Sequence, residues 1–386
     1  MGIVSPLGRD RATVAAALVK GSRDGLAPNA DLVPDRTVYV GAIAGDLPPL
    51  PAAFRDLDCR NNRAMAAALD QIVDDVRRVA ERVGPDRVAV VLGSSTGGIA
   101  EGEAAYAAFQ RDGAWPQDFH YRQQEIGSLA SFAARYLELR GPAYTVATAC
   151  SSSGKAFASA RRLIKSGLCD AAVVGGADTL CRMTLNGFST LEAVSAGLCN
   201  PFSRNRDGIN IGEAAAAFLL VPDASPVELL GIGESSDAHH VSAPDPTGGG
   251  AYEAMRLALA DANLAPADIA YINLHGTATP LNDAMEGKAV HQLFGTEVAC
   301  SSTKSMTGHT LGAASACEAA FLWLTLHPDY NDGLLPPHVW DGATDPAIPA
   351  ITLVSPGMRG AAGKRAMLSN SFAFGGSNLA LIFGQG

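Results

Sequence analysis

The chain is poor in basic residues, which bears on its partners. Its 386 residues carry 29 Lys and Arg against 39 Asp and Glu, a formal net charge of −10. Nucleic-acid binding depends largely on positive charge that faces phosphate groups, so this balance argues against a general electrostatic footprint for DNA or RNA. We therefore expect no nucleic-acid partner.

The sequence also lacks long apolar runs. None of them reaches the roughly 20 consecutive apolar residues that a membrane-spanning helix needs. The first residues do not combine a basic segment with an apolar one, as a secretory signal would. We therefore expect a cytoplasmic protein with no membrane partner, and the 47% hydrophobic content is enough for a large core or two.

The cysteines show no paired spacing. Because the sequence contains no Cys-x-x-Cys, it predicts neither a zinc site nor a disulfide framework. We expect most of the thiols to be reduced and buried, where cysteine behaves as a small hydrophobic residue. The seven positions are Cys59, Cys150, Cys169, Cys181, Cys199, Cys300 and Cys317.

Strand-like runs alternate with alanine-rich helical stretches, which indicates an α/β fold. The sequence predicts strands at 87–92, 171–175, 270–274 and 351–354, and helices at 63–83 and 252–262.

One pattern occurs twice, which suggests an internal duplication. A short strand, a turn rich in Cys and Ser, and a helix of small residues are expected at 146–164 and again at 299–326. We place the two halves at 1–225 and 226–386. The Gly- and Pro-rich stretch at 235–250 is expected to be a long loop that covers a site.

Cys150 is the best candidate nucleophile. It stands in the run Thr-Ala-Cys-Ser-Ser-Ser, between a strand-like stretch and the expected start of a helix. The unpaired N–H groups and positive dipole end of a helix N-terminus lower the pKa of a thiol, and small neighbours let a carbonyl group approach. Taken alone, a buried core cysteine explains this placement equally well.

Two histidines occur in loops rich in Ser, Thr and Gly. His275 opens His-Gly-Thr-Ala-Thr-Pro-Leu-Asn-Asp at an expected strand end, where Thr277 and Thr279 can hold an amide-bearing ligand. For that segment alone, a capped turn with a structural histidine is the slightly better explanation. His309 follows Lys304 by five residues, in a run that packing alone does not readily explain.

A fourth segment, Asn-Ser-Phe-Ala-Phe-Gly-Gly-Ser-Asn at 370–378, combines glycines with two phenylalanines. Glycines let backbone N–H groups face a ligand, as an oxyanion hole requires, although a glycine-rich hairpin is the plainer alternative. Together the four segments suit one reaction. A thiolate accepts an acyl group, and two neutral histidines polarise a thioester carbonyl without a carboxylate base or a metal.

In this order, the four motifs resemble those of the elongating β-ketoacyl-acyl-carrier-protein synthases of the thiolase superfamily. The likeness runs along nearly the whole chain. It implies a duplicated αβαβα layered fold and a dimer. It also implies decarboxylative condensation of an acyl group with malonyl-acyl carrier protein, in fatty acid, polyketide or polyene biosynthesis.

The resemblance implies no metal and no cofactor of the chain's own, because 4′-phosphopantetheine arrives on the acyl carrier protein. Some relatives hold a structural monovalent cation. The positions that match its site are Asn273, Glu318, Ser369 and Asn370.

The resemblance also implies individual roles. Cys150 would accept the acyl group, and His275 and His309 would drive decarboxylation and stabilise the enolate. Backbone N–H groups of Cys150 and Phe374 would form the oxyanion hole, with Phe374 gating the acyl pocket. Thr277 and Thr279 would bind the phosphopantetheine arm, and Phe188 and Phe372 would contact the acyl chain. Lys304 with Glu318 would organise the site, and Asp283 and Glu286 would support the loops.

Two other classes of protein compete with this interpretation. A non-catalytic chain-length factor, which shapes the pocket of a ketosynthase partner, usually lacks the nucleophile that Cys150 provides. A simple thioester hydrolase would not need both His275 and His309. A homodimer and a heterodimer with a chain-length-factor-like subunit both fit the sequence. The segment at 120–128 is unusually polar, which fits a polyketide or polyene pathway.

Overall fold

A computed structural model of the chain describes residues 1–361, 363 and 366–386. The helices are α1 (Arg11–Lys20), α2 (Arg60–Leu69), α3 (Val73–Val83), α4 (Ile99–Asp112), α5 (Ser128–Tyr136), α6 (Ser152–Lys165), α7 (Arg182–Thr190), α8 (Gly249–Ala262), α9 (Pro280–Phe294), α10 (Lys304–Thr307) and α11 (Ala314–Leu326). The strands are β1 (Gly2–Val4), β2 (Leu26–Asn29), β3 (Val38–Gly41), β4 (Val88–Gly93), β5 (Ala143–Val146), β6 (Ala171–Asp178), β7 (Ile211–Gly212), β8 (Ala214–Leu220), β9 (Val227–Ser236), β10 (Ile269–Asn273), β11 (Ala299–Ser301), β12 (Thr352–Leu353), β13 (Ala366–Ala373) and β14 (Ser377–Gln385).

The two large sheets repeat one strand pattern. In the first sheet, β5, β4 and β6 run parallel, β8 is antiparallel to β6, and β1 is antiparallel to β8. In the second, β11, β10 and β13 run parallel, followed by antiparallel β14 and β9, with β12 added outside β11. The predicted duplicated α/β fold is therefore confirmed. A small third sheet joins β2, β3 and β7.

Helices form the layers between and outside the sheets. The largest apolar core takes residues from both α6 and α11 and from facing strands of both sheets. A second core joins α2 and α5 to the first sheet, and a third joins α8 and α9 to the second sheet. Because α11 lies in the middle layer, 12 of its 13 residues are buried. This order of layers is αβαβα.

The helix predicted at 63–83 is wrong in one respect, because it is two helices. Residues 70–72 separate α2 from α3. The Gln71 side chain accepts a hydrogen bond from the Ile3 N–H at 3.3 Å and donates to the Ile3 carbonyl at 2.9 Å. The helix is interrupted where this side chain completes the backbone pairing of β1, a contact that helical periodicity does not register.

The state of the cysteines and the length and polarity of the helices are both visible in the structure. All seven cysteines are free thiols and all are buried. Within the described part of the chain, no helix combines the length and apolar character that crossing a bilayer requires.

Candidate active site

Cys150 lies in a tight turn between β5 and α6. Ala149, just before it, has φ of +51°, a left-handed conformation that is costly for a residue with a Cβ. The turn is held by the Ser152 hydroxyl, which accepts from the Thr148 N–H at 2.9 Å and donates to the Ala149 carbonyl at 2.6 Å. The strained turn places the thiol at the start of α6 with only 6% of the residue exposed.

Eight of the predicted site residues line one pocket of about 280 Å³. They come from strand ends, loops and helix α7, and both halves of the chain contribute. They are Cys150, Phe188, His275, Thr277, Thr279, His309, Phe372 and Phe374.

The thiol and the two imidazoles meet in this pocket. His309 Nε2 lies 3.0 Å from Cys150 Sγ. The His275 and His309 ring centroids are 5.3 Å apart, with the rings nearly perpendicular at 85°. The Thr277 and Thr279 hydroxyls lie 3.0 Å from each other on the pocket wall. Cys150, His275 and His309 are also the one cluster of His, Cys, Asp and Glu, in the described part of the chain, that is close enough to hold a metal ion.

Each histidine is fixed through its backbone. The Glu286 carboxylate accepts from the N–H groups of His275 and Gly276, both at 2.7 Å. The His309 N–H donates to the Asn210 carbonyl at 2.6 Å, and its own carbonyl accepts from the Gly212 N–H at 2.9 Å. The imidazoles therefore approach the thiol from two rigidly held loops.

Two buried acids lie behind the His275 loop. Asp283 accepts from the Phe202 N–H at 2.8 Å and from the Ala278 N–H at 3.2 Å. Burial raises the pKa of Asp283 to about 6 and that of Glu286 to about 7, against the opposing effect of these N–H donors. Neither acid lines the pocket; both accept from backbone N–H groups, and Glu286 also accepts from the Asn370 amide at 3.1 Å.

Phe374 lies in the turn between β13 and β14. Its ring centroid is 5.6 Å from that of Phe188 across the pocket, and 39% of the residue is exposed. The turn requires glycine because Gly375 and Gly376 both have positive φ, +81° and +74°. Gly375 donates its N–H to the Val241 carbonyl at 2.8 Å, which ties the turn to the loop after β9.

Lys304 and Glu318 form a buried ion pair away from the pocket wall, with side-chain exposures of 2% and 3%. Burial raises the pKa of Glu318 to about 7, and the Lys304 charge opposes this rise. Breaking such a pair by removing one partner typically costs about 3–5 kcal/mol, because the other charge remains buried. Because Lys304 does not line the pocket, it acts on the site through its charge and not by contact.

Comparison with known proteins agrees with this geometry. Residues 55–225 and 227–339 match the family models for the N-terminal and C-terminal domains of β-ketoacyl synthases. A 3-oxoacyl-[acyl-carrier-protein] synthase 2 from Staphylococcus aureus is 30% identical over 408 aligned positions, which cover 99% of each chain. The chain belongs to the β-ketoacyl synthase family. Enzymes of this family transfer acyl groups, as the motifs predicted.

Two solved ketosynthase structures are similar to this chain. The ketosynthase ApeO, in complex with its chain length factor ApeC from Xenorhabdus doucetiae, is 46% identical with a TM-score of 0.95. That match covers 100% of this chain and 96% of the other. The ishigamide ketosynthase/chain length factor is 28% identical with a TM-score of 0.87, covering 100% and 97%.

Both imidazoles in this pocket are neutral at pH 7. Burial lowers the pKa values of His275 and His309 well below 6.5, and the nearby Lys304 charge lowers both further. A neutral imidazole has one N–H to donate and one nitrogen to accept. Each ring can therefore donate one N–H hydrogen bond to a developing oxyanion.

The thiol does not have the lowered pKa that its place at a helix start predicts, although its own N–H acts in the expected direction. Burial raises the pKa of Cys150 to about 12. The Lys304 charge and the N–H groups of Phe374 and Cys150 lower it, and the Asp178 charge raises it, but burial outweighs the lowering effects. The Cys150 side chain is therefore a thiol at pH 7, because the protein around it excludes the water that would stabilise a thiolate.

Alkylation of Cys150 should therefore depend steeply on pH. Only the thiolate reacts with iodoacetamide, and far below a pKa its fraction rises about tenfold per pH unit. We expect the alkylation rate to climb about tenfold per pH unit from roughly pH 6 to pH 9. Peptide mass spectrometry measures this rate. The Cys150→Ala variant supplies the background from the six other cysteines. A plateau within this range would reveal a thiolate stabilised in the resting enzyme and contradict the expectation.

Sequence reasoning missed Asp178, the last residue of β6. Its carboxylate accepts hydrogen bonds from the Ser94 hydroxyl at 2.7 Å and from the N–H groups of Ser95 and Thr96, both at 2.9 Å. It also accepts from the Gly312 N–H, at 2.5 Å, in the loop that carries His309. The only sequence signal was an acidic residue at the end of a buried strand.

Asp178 thereby connects the nucleophile turn to the His309 loop. The Ser95 hydroxyl donates to the Ala149 carbonyl at 3.2 Å, at the strained residue before Cys150. Leu311, beside Gly312, is strained in the same way with φ of +52°. Strained residues persist only where their surroundings hold them, and one buried carboxylate supports both places.

Proposed function

We propose that this ketosynthase condenses an acyl group carried on Cys150 with malonyl-acyl carrier protein, giving 3-oxoacyl-acyl carrier protein and carbon dioxide. The observation that carries the proposal is the 3.0 Å separation of Cys150 Sγ and His309 Nε2, with His275 beside them in one pocket. A lone buried cysteine would need neither imidazole.

The first step is acyl loading. The Cys150 sulfur forms a bond to the acyl carbon, and the bond from that carbon to the sulfur of the incoming arm breaks. The thiol proton leaves with the departing arm, so the charge balances. Because the resting thiol is protonated, the rate of this step depends on moving that proton.

The second step is decarboxylation and attack. The malonyl group loses carbon dioxide, and the electron pair of the broken carbon–carbon bond passes into an enolate. Its oxygen accepts N–H hydrogen bonds from His275 and His309. The enolate carbon then attacks the thioester carbonyl on Cys150. The resulting oxyanion accepts from the N–H groups of Cys150 and Phe374, and the Cys150 sulfur departs and takes up a proton.

The remaining predicted residues receive proposed roles from their positions. Thr277 and Thr279 are placed on the pocket wall to bind the amides of the phosphopantetheine arm. Phe188 and Phe372 form apolar walls for the acyl chain, with Phe374 as the gate. Asp283 and Glu286 support the His275 loop, and Lys304 with Glu318 organises the charge behind the site.

We further propose a structural monovalent cation at the predicted place. Asn273 Oδ1, Glu318 Oε2 and Asn370 Oδ1 are all buried oxygen atoms that accept no hydrogen bond from the described part of the chain. Buried acceptors without donors are rare, and a hard cation prefers oxygen ligands. Ser369, beside Asn370, completes the proposed set. The proposal concerns folding and rigidity, and no reaction step depends on it.

The assembly we propose is a heterodimer with a chain-length-factor-like subunit. The ketosynthase that is 46% identical over the whole chain was solved in complex with such a subunit. The outermost strand of the first sheet, β5, begins with the exposed residues Ala143 and Tyr144 and offers an unpaired edge within the described chain. The division at residue 225 and a cytoplasmic location remain parts of the proposal.

One experiment tests both reaction and assembly. The purified chain is offered a panel of acyl-carrier-protein thioesters of different length and unsaturation. Denaturing mass spectrometry then reports the acyl adduct on Cys150, and native mass spectrometry reports the oligomer. We expect an adduct on Cys150 from part of the panel, more of it when a chain-length-factor subunit is co-expressed. Absence of any adduct contradicts the reaction, and full activity as a homodimer contradicts the assembly.

A further inference from the structure

Exposed apolar side chains surround the mouth of the active-site pocket. Leu191, Val241 and Leu281, here called the apolar rim, are 55%, 75% and 62% exposed. Leu191 and Leu281 line the pocket, and Val241 precedes Ser242, which also lines it. The Val241 carbonyl accepts from the Gly375 N–H, beside the Phe374 gate.

The rim gathers residues from three separate segments of the chain. Leu191 directly follows α7, Val241 lies in the loop after β9, and Leu281 lies in the first turn of α9. Single exposed apolar residues are ordinary on a protein surface and need no explanation. Three that border one opening are different, because clustered exposed apolar residues mark a site of interaction.

The lining of the pocket below the rim is acidic. Among the described residues, no Lys or Arg lines the pocket, whereas Glu192 and Asp237 do. Arg206, which contacts the residue before Leu281, donates to the Pro280 carbonyl at 3.2 Å and pairs with Asp345 at 2.5 Å. Its side chain is only 8% exposed, so it is committed to the protein's own structure.

We propose that the apolar rim is the docking surface for the body of the acyl carrier protein, which it holds by apolar contacts and not by ion pairs. This rests on the proposed function. Any arm that reaches Cys150 must pass through this mouth, so the protein at the end of the arm is held against Leu191, Val241 and Leu281. Apolar docking predicts a weak dependence on salt, since salt screens the charge pairs that steer partners.

The test compares two donors of one acyl group. The Val241→Ser, Leu281→Ser double variant is loaded from an acyl-carrier-protein thioester and from the same acyl group on N-acetylcysteamine, which has no protein body. The ratio of kcat/KM for the carrier over the small thioester should fall about tenfold, mainly through KM, which corresponds to about 1.4 kcal/mol of docking energy. Both positions are exposed, so the substitutions leave the core intact.

Two single variants serve as matched controls. Met183→Ser removes an equally exposed apolar side chain, 65% exposed, that does not line the pocket, and the ratio should stay unchanged. Arg204→Ala removes an exposed cation two residues before Arg206, and the ratio should again stay unchanged. The wild-type KM for the carrier should change less than about threefold between low and high salt.

The outcomes separate the docking surface from the reaction. An unchanged ratio in the double variant, or a large fall in Arg204→Ala with steep salt dependence, overturns apolar docking and leaves the condensation intact. A fall in kcat/KM with both donors also overturns it, because the rim would then act on the acyl group and not on the carrier protein. Failure of the wild type to load Cys150 from either donor contradicts the proposed function itself.

Discussion

Condensation is expected to fall by more than about 1,000-fold in the Cys150→Ala variant, because no sulfur remains to hold the acyl group. Cys150→Ser should lose nearly as much, since a hydroxyl at this position is a much weaker nucleophile than a thiol. Decarboxylation of malonyl thioester should continue in Cys150→Ala, because His275 and His309 remain beside the empty position. Formation of 3-oxoacyl-carrier protein is followed by mass spectrometry, and carbon dioxide release is followed separately.

A second cysteine provides the control for this experiment. Cys199 is also fully buried but does not line the pocket, and its sulfur contacts the Lys304 carbonyl at 3.6 Å. Cys199→Ala should retain most of the condensation activity. The Cys150 variants should remain folded and assembled, because the substitution removes one small side chain. Undiminished 3-oxoacyl formation by Cys150→Ala would sink the assignment of the nucleophile.

The second large effect is expected at His309. His309→Ala should lower malonyl decarboxylation by about 100- to 1,000-fold, the usual loss when one oxyanion donor is removed. Acyl loading should fall much less, because the Cys150 and Phe374 N–H groups that receive the oxyanion of that step remain. The two steps are measured on the same protein, one by carbon dioxide release and the other by the adduct on Cys150.

The conservative variant refines this result. Glutamine carries N–H donors but cannot take up a proton as imidazole can. His309→Gln should therefore recover part of the decarboxylation that His309→Ala loses. Equal losses of loading and decarboxylation in His309→Ala would count against the proposed role. They would instead identify His309 as the acceptor of the Cys150 proton, 3.0 Å away.

The sequence was most informative where a short segment carries the chemistry. Cys150, His275 and His309 stand in motifs of at most eleven residues, and each motif follows a strand, so their convergence at the sheet ends was predictable. The duplication was visible because the strand, turn and helix recur in order. Each segment alone was ambiguous, and only their combination favoured one reaction.

Long-range contacts were not predictable in the same way. The raised pKa of Cys150 comes from burial by segments that lie far away in the chain, whereas the helix start that should have lowered it is local. The break between α2 and α3 depends on Gln71 reaching Ile3, 68 residues away. Asp178 contacts Gly312 across 134 residues. No periodicity or spacing records such pairs.

The bond from Asp178 to Gly312 has a consequence for recombination between ketosynthases. A chimera that joins 1–225 of one enzyme to 226–386 of another inherits both sets of motifs complete. Yet Asp178, which holds the His309 loop, belongs to the first half. So does Asn210, whose carbonyl accepts a hydrogen bond from the His309 N–H. The first half therefore carries part of the scaffold for the chemistry of the second half. We expect exchange between relatives to succeed where the end of β6 and the His309 loop come from the same enzyme. These two segments should therefore be inherited together.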